Sequence, residues 1–307
     1  MTTYGFIGLG SMGAAMAKRL ATRCVERGDR LVVWNRSRVR EAAVLAEGAS
    51  AARDPADLVA VSDVVVMLPD LPQLLELSDG PAKLLSRVRS PTVLVICSSV
   101  APAGARAFAE HATELTDGLV SVIDAPVSGG PEGAQAGTLA IMVGGSDVAV
   151  AAAWPALTAM GSTVRHLGAI GAGSLATACN QMVVAATMIA LSEASVLAES
   201  AGVDVAGLLD VLAGGYAASR LLEVKGTNLA SQSYSPAGKA TYMVKDLGFV
   251  RSEAQRTGVT VSQAELSLAT FAAADAAGLG EEDMSVVHRI IREQARPRLS
   301  RSDPPAG

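Results

Sequence analysis

The chain is short of aromatic side chains, with two tryptophans, four tyrosines and four phenylalanines in 307 residues. Half its residues are apolar and 30 are glycine, so its core must be built from small side chains that let backbones come close. Positive charge is also short. Net charge is −5, which argues against a general nucleic-acid binder. Cys24, Cys97 and Cys179 stand at no paired spacing, so they imply neither a disulfide framework nor a zinc site, and a reducing cytoplasm fits. His111, His166 and His288 are far apart and form no ligand motif, so no metal is expected. The first residues enter a strand directly, and no signal peptide is expected. The uncharged run 167–192 has a purely apolar centre only at 182–191. A membrane span needs about twenty predominantly apolar residues, so this run reads as a buried helix. There is no internal repeat and no low-complexity segment.

What the chain does have is the stretch 4–36. A short apolar run, 4–7, ends in Gly8-Leu9-Gly10-Ser11-Met12-Gly13, and a helical pattern follows through Ala14, Met16, Ala17 and Leu20. Strand, glycine turn and helix form the context in which G-x-G-x-x-G signals a dinucleotide site. Gly8 permits the turn, Gly10 lets backbone approach a pyrophosphate, and Gly13 lets helix and strand pack closely. Free N–H groups at the helix start, backed by the macrodipole, hold the phosphates. A second apolar strand, 31–34, ends where an NAD enzyme places an acid on the ribose 2′-hydroxyl. That position holds Asn35, followed by Arg36, Ser37, Arg38 and Arg40. No carboxylate there repels a 2′-phosphate, and a guanidinium grips one bidentately, so NADP(H) is expected over NAD(H).

Further apolar runs at 64–68, 93–97, 121–124, 139–143 and 164–166 alternate with helical patterns at 38–47 and 148–160. The pattern predicts an α/β domain with a parallel, doubly wound sheet over 1–167. Leu68-Pro69-Asp70, Ser98-Ser99 and the glycine-rich loop 126–137 lie at carboxyl ends of strands, where ligands bind in this topology. From 168 no further strand is predicted. A helix over about 174–201 would be roughly 40 Å long and is apolar nearly all round, which calls for burial on every side and suggests a second subunit against it. More helices are predicted at 205–212, 221–229, 241–256, 261–277 and 283–294, completing an all-helical domain over 168–296. The proline-rich, charged tail 297–307 is expected to be disordered.

Two other pieces can carry chemistry. The loop Asp124-Ala-Pro-Val-Ser128-Gly129-Gly130 offers a hydroxyl and bare N–H groups suited to a carboxylate or oxyanion, while an ordinary glycine turn reads equally well. On the long helix Gly173, Thr177, Asn180 and Gln181 share one face. Asn180 can hydrogen-bond a substrate oxygen or simply pack the helix, and Lys245-Asp246 alone reads as a surface pair.

Together the segments FIGLGSMG, VVWNR, MLP, DAPVSGG, GTLAIMVGG, GAGSLATACNQ, VKDLGFV and GLGEED resemble the β-hydroxyacid dehydrogenase family, the relatives of 3-hydroxyisobutyrate and 6-phosphogluconate dehydrogenases. They span almost the whole chain in order. The resemblance implies a Rossmann-like domain, a long interdomain helix and a helical domain that forms a homodimer. It implies that Gly8, Leu9, Gly10, Ser11, Met12 and Gly13, with Asn35, Arg36 and Ser37, hold NADP(H). Leu68, Pro69 and Ser98 would border the nicotinamide, Ser128, Gly129, Gly130 and Asn180 would hold substrate, and Lys245 would flank the cofactor. The chain departs from the family pattern G-x-G-x-x-x-K-x-x-N at its lysine, the general acid/base, where Thr177 stands. A threonine hydroxyl cannot carry the proton as an ammonium does. Ile96 replaces a usual aspartate and Lys239 a common aromatic.

Three chemistries are open. Hydride transfer on a small hydroxyacid or aldehyde could use Lys239 or Lys245 as proton donor. An imine substrate would arrive protonated, as in imine reductases, which also lack that lysine. A cofactor-binding scaffold would do no chemistry.

Overall fold

The computed structural model describes residues 1–68, 70–80, 83–235 and 238–299, leaving aside the side chains of Met67 and of 296–299. It divides into two compact units, 1–177 and 178–307. In the first unit, strands β1 (Thr3–Ile7), β2 (Arg30–Trp34), β3 (Ser50–Ala51), β4 (Val64–Met67), β5 (Thr92–Ile96), β6 (Val120–Asp124), β7 (Val127–Ser128), β8 (Ala140–Gly144) and β9 (Thr163–Gly168) form one sheet. The helices around it are α1 (Ser11–Arg27), α2 (Ala42–Leu45), α3 (Pro55–Val61), α4 (Leu71–Asp79), α5 (Pro102–Leu115), α6 (Gly130–Ala136) and α7 (Asp147–Met160).

The order β3-β2-β1-β4-β5-β6-β8-β7 reverses direction beside β1, so the topological switch lies where β1 and β4 pair. Successive strand residues point to opposite faces, and both faces are apolar. Tyr4, Phe6, Val64, Val66 and Val95 pack with Met16, Leu20, Ala153 and Leu157 of α1 and α7. Ile7, Val65, Leu94 and Ile96 pack on the other side with Leu58 and Phe108 of α3 and α5. The expected parallel pairing holds from β3 to β6. Beyond it the sheet is mixed: β8 runs antiparallel to β6 and β7, and β9 parallel to β8. β7 takes up part of the connection after β6, leaving too little chain for the long crossover a parallel pair needs.

The segment 126–137, read as a glycine loop, therefore holds β7 and a short helix, stopped by Gly137 in the left-handed conformation (φ 71°). The break after β4 likewise starts a helix, with the Asp70 carboxylate accepting from Gln73 N. Pro69 lies outside the described residues.

The helix α8 (Ala172–Ser200) begins in the first unit and continues in the second, which adds α9 (Val205–Ala213), α10 (Arg220–Ser231), α11 (Ala240–Thr257), α12 (Ser262–Ala274) and α13 (Val287–Leu299). The expected tail is thus helical as far as Leu299, and 300–307 lie outside the described residues. By length and composition alone α8 could cross a membrane. Its Ala185, Met188, Ile189 and Leu191, however, are buried in a core shared with Leu222, Met243, Phe271 and Val287. The expectation that α8 is covered all round does not hold within one chain. Leu175, Val183 and Leu197 are 37%, 60% and 72% exposed along one face, with Cys179 between them.

Candidate cofactor and substrate sites

At the switch point a cavity of about 630 Å³ opens over the ends of β1, β2 and β4. Gly8 turns the chain off β1 with φ 99°, a conformation only glycine adopts freely, and its N–H donates to Trp34 O. Leu9 N donates to Asn35 Oδ1 at 2.8 Å, while Asn35 Nδ2 donates to Ser37 O at 2.8 Å. The Asn35 carboxamide thus braces the glycine turn against the end of β2. α1 then starts at Ser11 with no side chain capping it, so its first-turn N–H groups have no side-chain acceptor among the described residues.

Gly10 separates fold from function. Its φ of −71° suits any residue, and a Cβ there would approach only Arg40 Nη1, at 3.9 Å. No neighbour and no backbone angle among the described residues requires glycine at this position. A Cβ on Gly13, by contrast, would run into Gly8 O, so that glycine serves helix–strand packing. The opposite rim carries Arg36, Ser37 and Arg40. Neither Arg36 nor Arg40 has an ion-pair partner among the described residues, whereas Arg38 is occupied by Glu41, Ala52 O and Arg53 O. A loop of backbone donors beside two unpaired guanidinium groups is an anion cradle, and it fits the phosphates of a dinucleotide.

Of the cofactor residues expected from sequence, Gly8, Gly10, Ser11, Met12, Gly13, Asn35, Arg36, Ser37 and Leu68 line this one cavity. Leu9 does not: it is buried in the core, contributing its N–H to the brace. Ser98, at the end of β5, is half-buried and is not among the lining residues. Gln73, Glu76 and Leu77 line it without having been singled out, and so does Arg40, which the sequence reading named in the basic run but did not place at the cofactor.

Ser128 pairs with Ala140 at the sheet edge, and Gly129 and Gly130 follow with φ of 136° and 66°. Both glycines are therefore required by backbone conformation, whatever ligand they also meet. Asp124, in the same segment, is fully buried and accepts from Gly171 N at 2.8 Å and Ser174 N at 2.5 Å. Burial pushes its carboxyl above the usual range, and those two N–H donors oppose the rise. It caps the start of α8. Asp124→Ala should cost about 2–4 kcal/mol, because two buried N–H groups lose their acceptor, with Asp124→Asn intermediate. A loss below 1 kcal/mol in urea denaturation would refute this.

In the second unit, Asn180 Nδ2 donates to Gln181 Oε1 at 3.1 Å, and Gln181 Nε2 donates to Asp246 Oδ2 at 3.1 Å. Lys245 Nζ lies 3.7 Å from Asp246 Oδ1 and 5.7 Å over the Phe249 ring. Asp246 is 4% exposed, and burial raises its pKa against the pull of Lys245 and Gln181. Asn180 and Lys245 are thus brought into one network, through two residues that sequence reasoning did not assign. Lys239 is elsewhere, at the start of α11, where it pairs with Glu281 at 2.5 Å. That hydrogen bond raises its pKa. Thr177 is buried on α8, one turn before Gln181.

The chain was compared with known proteins. Residues 3–171 match the NAD binding domain of 6-phosphogluconate dehydrogenase, and 171–291 the NAD-binding model of NADP-dependent 3-hydroxyisobutyrate dehydrogenase. An NAD-dependent L-serine dehydrogenase of Pseudomonas aeruginosa is 36% identical over 299 residues, covering 95% of this chain and 98% of that one. Among solved structures, a 3-hydroxyisobutyrate dehydrogenase from Salmonella typhimurium aligns with TM-score 0.83 at 29% identity, covering 94% and 100% of the two chains. The structure of Psf3 in complex with NADP+ and 2-OPP aligns with TM-score 0.81 at 25% identity, covering 94% and 99%.

Proposed function

The chain belongs to the β-hydroxyacid dehydrogenase family and is an NAD(P)-binding oxidoreductase, and from that premise we propose an NADP(H)-dependent enzyme acting on a small hydroxyacid/aldehyde pair, with Lys245 handling the proton. The observation that carries this reading is the cavity in which Gly10 has no packing reason to be glycine and Arg36 and Arg40 stand on the rim without an ion-pair partner among the described residues. The backbone of residues 8–13 would hold the diphosphate, and Arg36, Ser37 and Arg40 the 2′-phosphate. Leu68 and Ser98 are assigned to the nicotinamide side. When bound, the nicotinamide supplies or takes up the hydride. Ser128, Gly129, Gly130 and Asn180 are assigned to the substrate, whose carboxylate suits bare N–H groups.

The Pseudomonas relative is named for NAD, so cofactor choice is a separate claim about this chain. NADPH should bind at least tenfold more tightly than NADH, since a charge-assisted hydrogen bond is worth about 1.5–3 kcal/mol. Arg36→Ala and Arg40→Ala should each narrow that ratio, and both rim arginines are exposed, so salt should narrow it too. Equal binding of the two dinucleotides in fluorescence titration would reject the assignment.

For proton transfer the geometry favours Lys245 over Lys239. The Lys239 ammonium is tied to the exposed carboxylate of Glu281, a hydrogen bond that holds it in its charged form and makes it a poor donor. Lys245 sits against a buried carboxylate in the network that contains Asn180. Lys245→Ala should lower turnover about 10²-fold or more and Lys239→Ala by less than about threefold. The readout is NADPH absorbance against a panel of hydroxyacids, aldehydes and cyclic imines. Full activity of the Lys245 variant would sink this role, and turnover of imines alone would replace the hydroxyacid reading. The uncovered apolar face of α8 supports a homodimer, which light scattering of the purified protein tests.

A further inference from the structure

Gln181 uses both ends of its carboxamide, and its surroundings dictate which end is which. Nε2 donates to Asp246 Oδ2 at 3.1 Å and to Met243 Sδ at 3.4 Å. A carboxylate and a thioether sulfur only accept, so both hydrogens of the amide are used. Reversing the amide would turn Oε1 against two sets of lone pairs. Asp246 cannot relieve such a clash by turning to water, because it is 4% exposed. Its other oxygen is buried without a hydrogen-bond partner among the described residues and faces Lys245 Nζ at 3.7 Å, a neighbour that favours the ionised, accepting carboxylate.

The consequence passes to the next residue. With Nε2 committed, Gln181 presents Oε1 to Asn180, and only the amide nitrogen of Asn180 can answer it, at 3.1 Å. The Oδ1 of Asn180 is left over, on a half-buried residue, with no partner among the described residues. The geometry points to Gln181 as a positioning residue that fixes the Asn180 carboxamide with its oxygen outward, so that the ligand met there must offer a hydrogen-bond donor, a hydroxyl or a protonated imine, and not a bare carbonyl. The inference rests on the functional reading of Asn180 above and adds the polarity of the group it recognises. Of an alcohol/carbonyl pair, the alcohol is the better partner for this residue.

Two measurements test it. A neutron structure of the deuterated protein should show deuterium on Gln181 at the atom facing Asp246, and on Asn180 at the atom facing Gln181. The opposite orientation of either amide overturns the proposal, with no ligand needed. The second measurement titrates the NADPH-loaded protein with 3-hydroxypropionate and with 3-fluoropropionate, which keeps size and carboxylate but cannot donate. The hydroxyl compound should bind about tenfold more tightly in the native protein. Gln181→Leu and Asp246→Asn, which free the amide to turn, should bring the two acids within about threefold of each other. A merely structural role would weaken both acids equally, so an unchanged ratio in both variants overturns the positioning role, as does equal binding by the native protein. Binding of neither acid, with the amides oriented as described, removes Asn180 from ligand recognition and the donor requirement with it.

Discussion

Gly10→Val should leave the protein folded with an unchanged melting temperature and weaken dinucleotide binding at least 100-fold. The backbone at residue 10 is already in a conformation every residue tolerates, and the space beside it is open, with Arg40 Nη1 the nearest neighbour to an added Cβ at 3.9 Å. A branched side chain would project into the cavity that Ser11, Met12 and Arg36 also line, over the first-turn N–H groups of α1. Those donors are the attraction for a diphosphate, and an apolar cover removes them from reach. Gly13→Ala should behave in the opposite way. Its Cβ would overlap Gly8 O, a backbone atom at the end of a buried strand that cannot step aside, so on the order of 3 kcal/mol of stability should go even though only one methyl is added. The pair distinguishes a glycine kept for a ligand from a glycine kept for packing. Thermal melts with and without NADPH check it: tight NADPH binding by the Gly10 variant, or a normal melt from the Gly13 variant, would refute the corresponding half.

The motif that holds both glycines was legible in sequence because it is local: strand, turn and helix are adjacent in the chain, and the hydrophobic period switches between them. The same holds for the core strands, whose continuous apolar runs reflect burial on both faces. What could not be read depends on contacts between distant segments. Gln181 and Asp246 are 65 residues apart, and neither residue type betrays the hydrogen bond between them. Lys239 and Lys245 look equivalent as letters, yet one is tied to an exposed Glu281 and the other to a buried carboxylate. Asn35 was legible as the absence of an acid but not as a brace, because its partner Leu9 N is a backbone group. The reversal of β8 was hidden for a different reason. An apolar strand carries no mark of its direction, which here follows from the two-residue strand β7 in the preceding connection. Asp124 belongs with these: the sequence reading left its side chain unassigned, and the structure spends that carboxylate on the N–H groups at the start of α8.

Asp283→Asn should cost about 3–5 kcal/mol at neutral pH, among the largest effects of any single change in the second unit. Asp283 is fully buried and accepts from Lys225 Nζ at 2.6 Å, Gly238 N at 3.1 Å, Ser285 N at 3.1 Å and Ser285 Oγ at 2.8 Å. Burial alone would raise its pKa, but the Lys225 ammonium and the Ser285 donors outweigh it and hold the carboxyl below the usual range. The sign follows from the linkage between proton binding and folding. A depressed native pKa contributes stability above the unfolded value, about 3.9, and that contribution is lost as pH falls through the native value. The native protein should therefore lose stability steeply below about pH 4, and the Asn variant should show a shallower acid limb from a lower starting point. Most of the neutral-pH cost comes from Lys225, 8% exposed, left as a buried charge without its counter-ion. Lys225→Met combined with Asp283→Leu should recover part of the loss but not all, since Gly238 N and Ser285 N still lack an acceptor. The position matters for activity as well. Gly238 directly precedes Lys239, where α11 begins, and that helix carries Lys245 and Asp246. Loosening the anchor should blur their placement before it unfolds the unit, so turnover should fall at temperatures where the variant is still folded. Urea denaturation across pH 3–7, paired with activity at each pH, measures both effects. A cost below 1 kcal/mol, or an acid limb identical to that of the native protein, would show that the buried pair does not hold this end of α11.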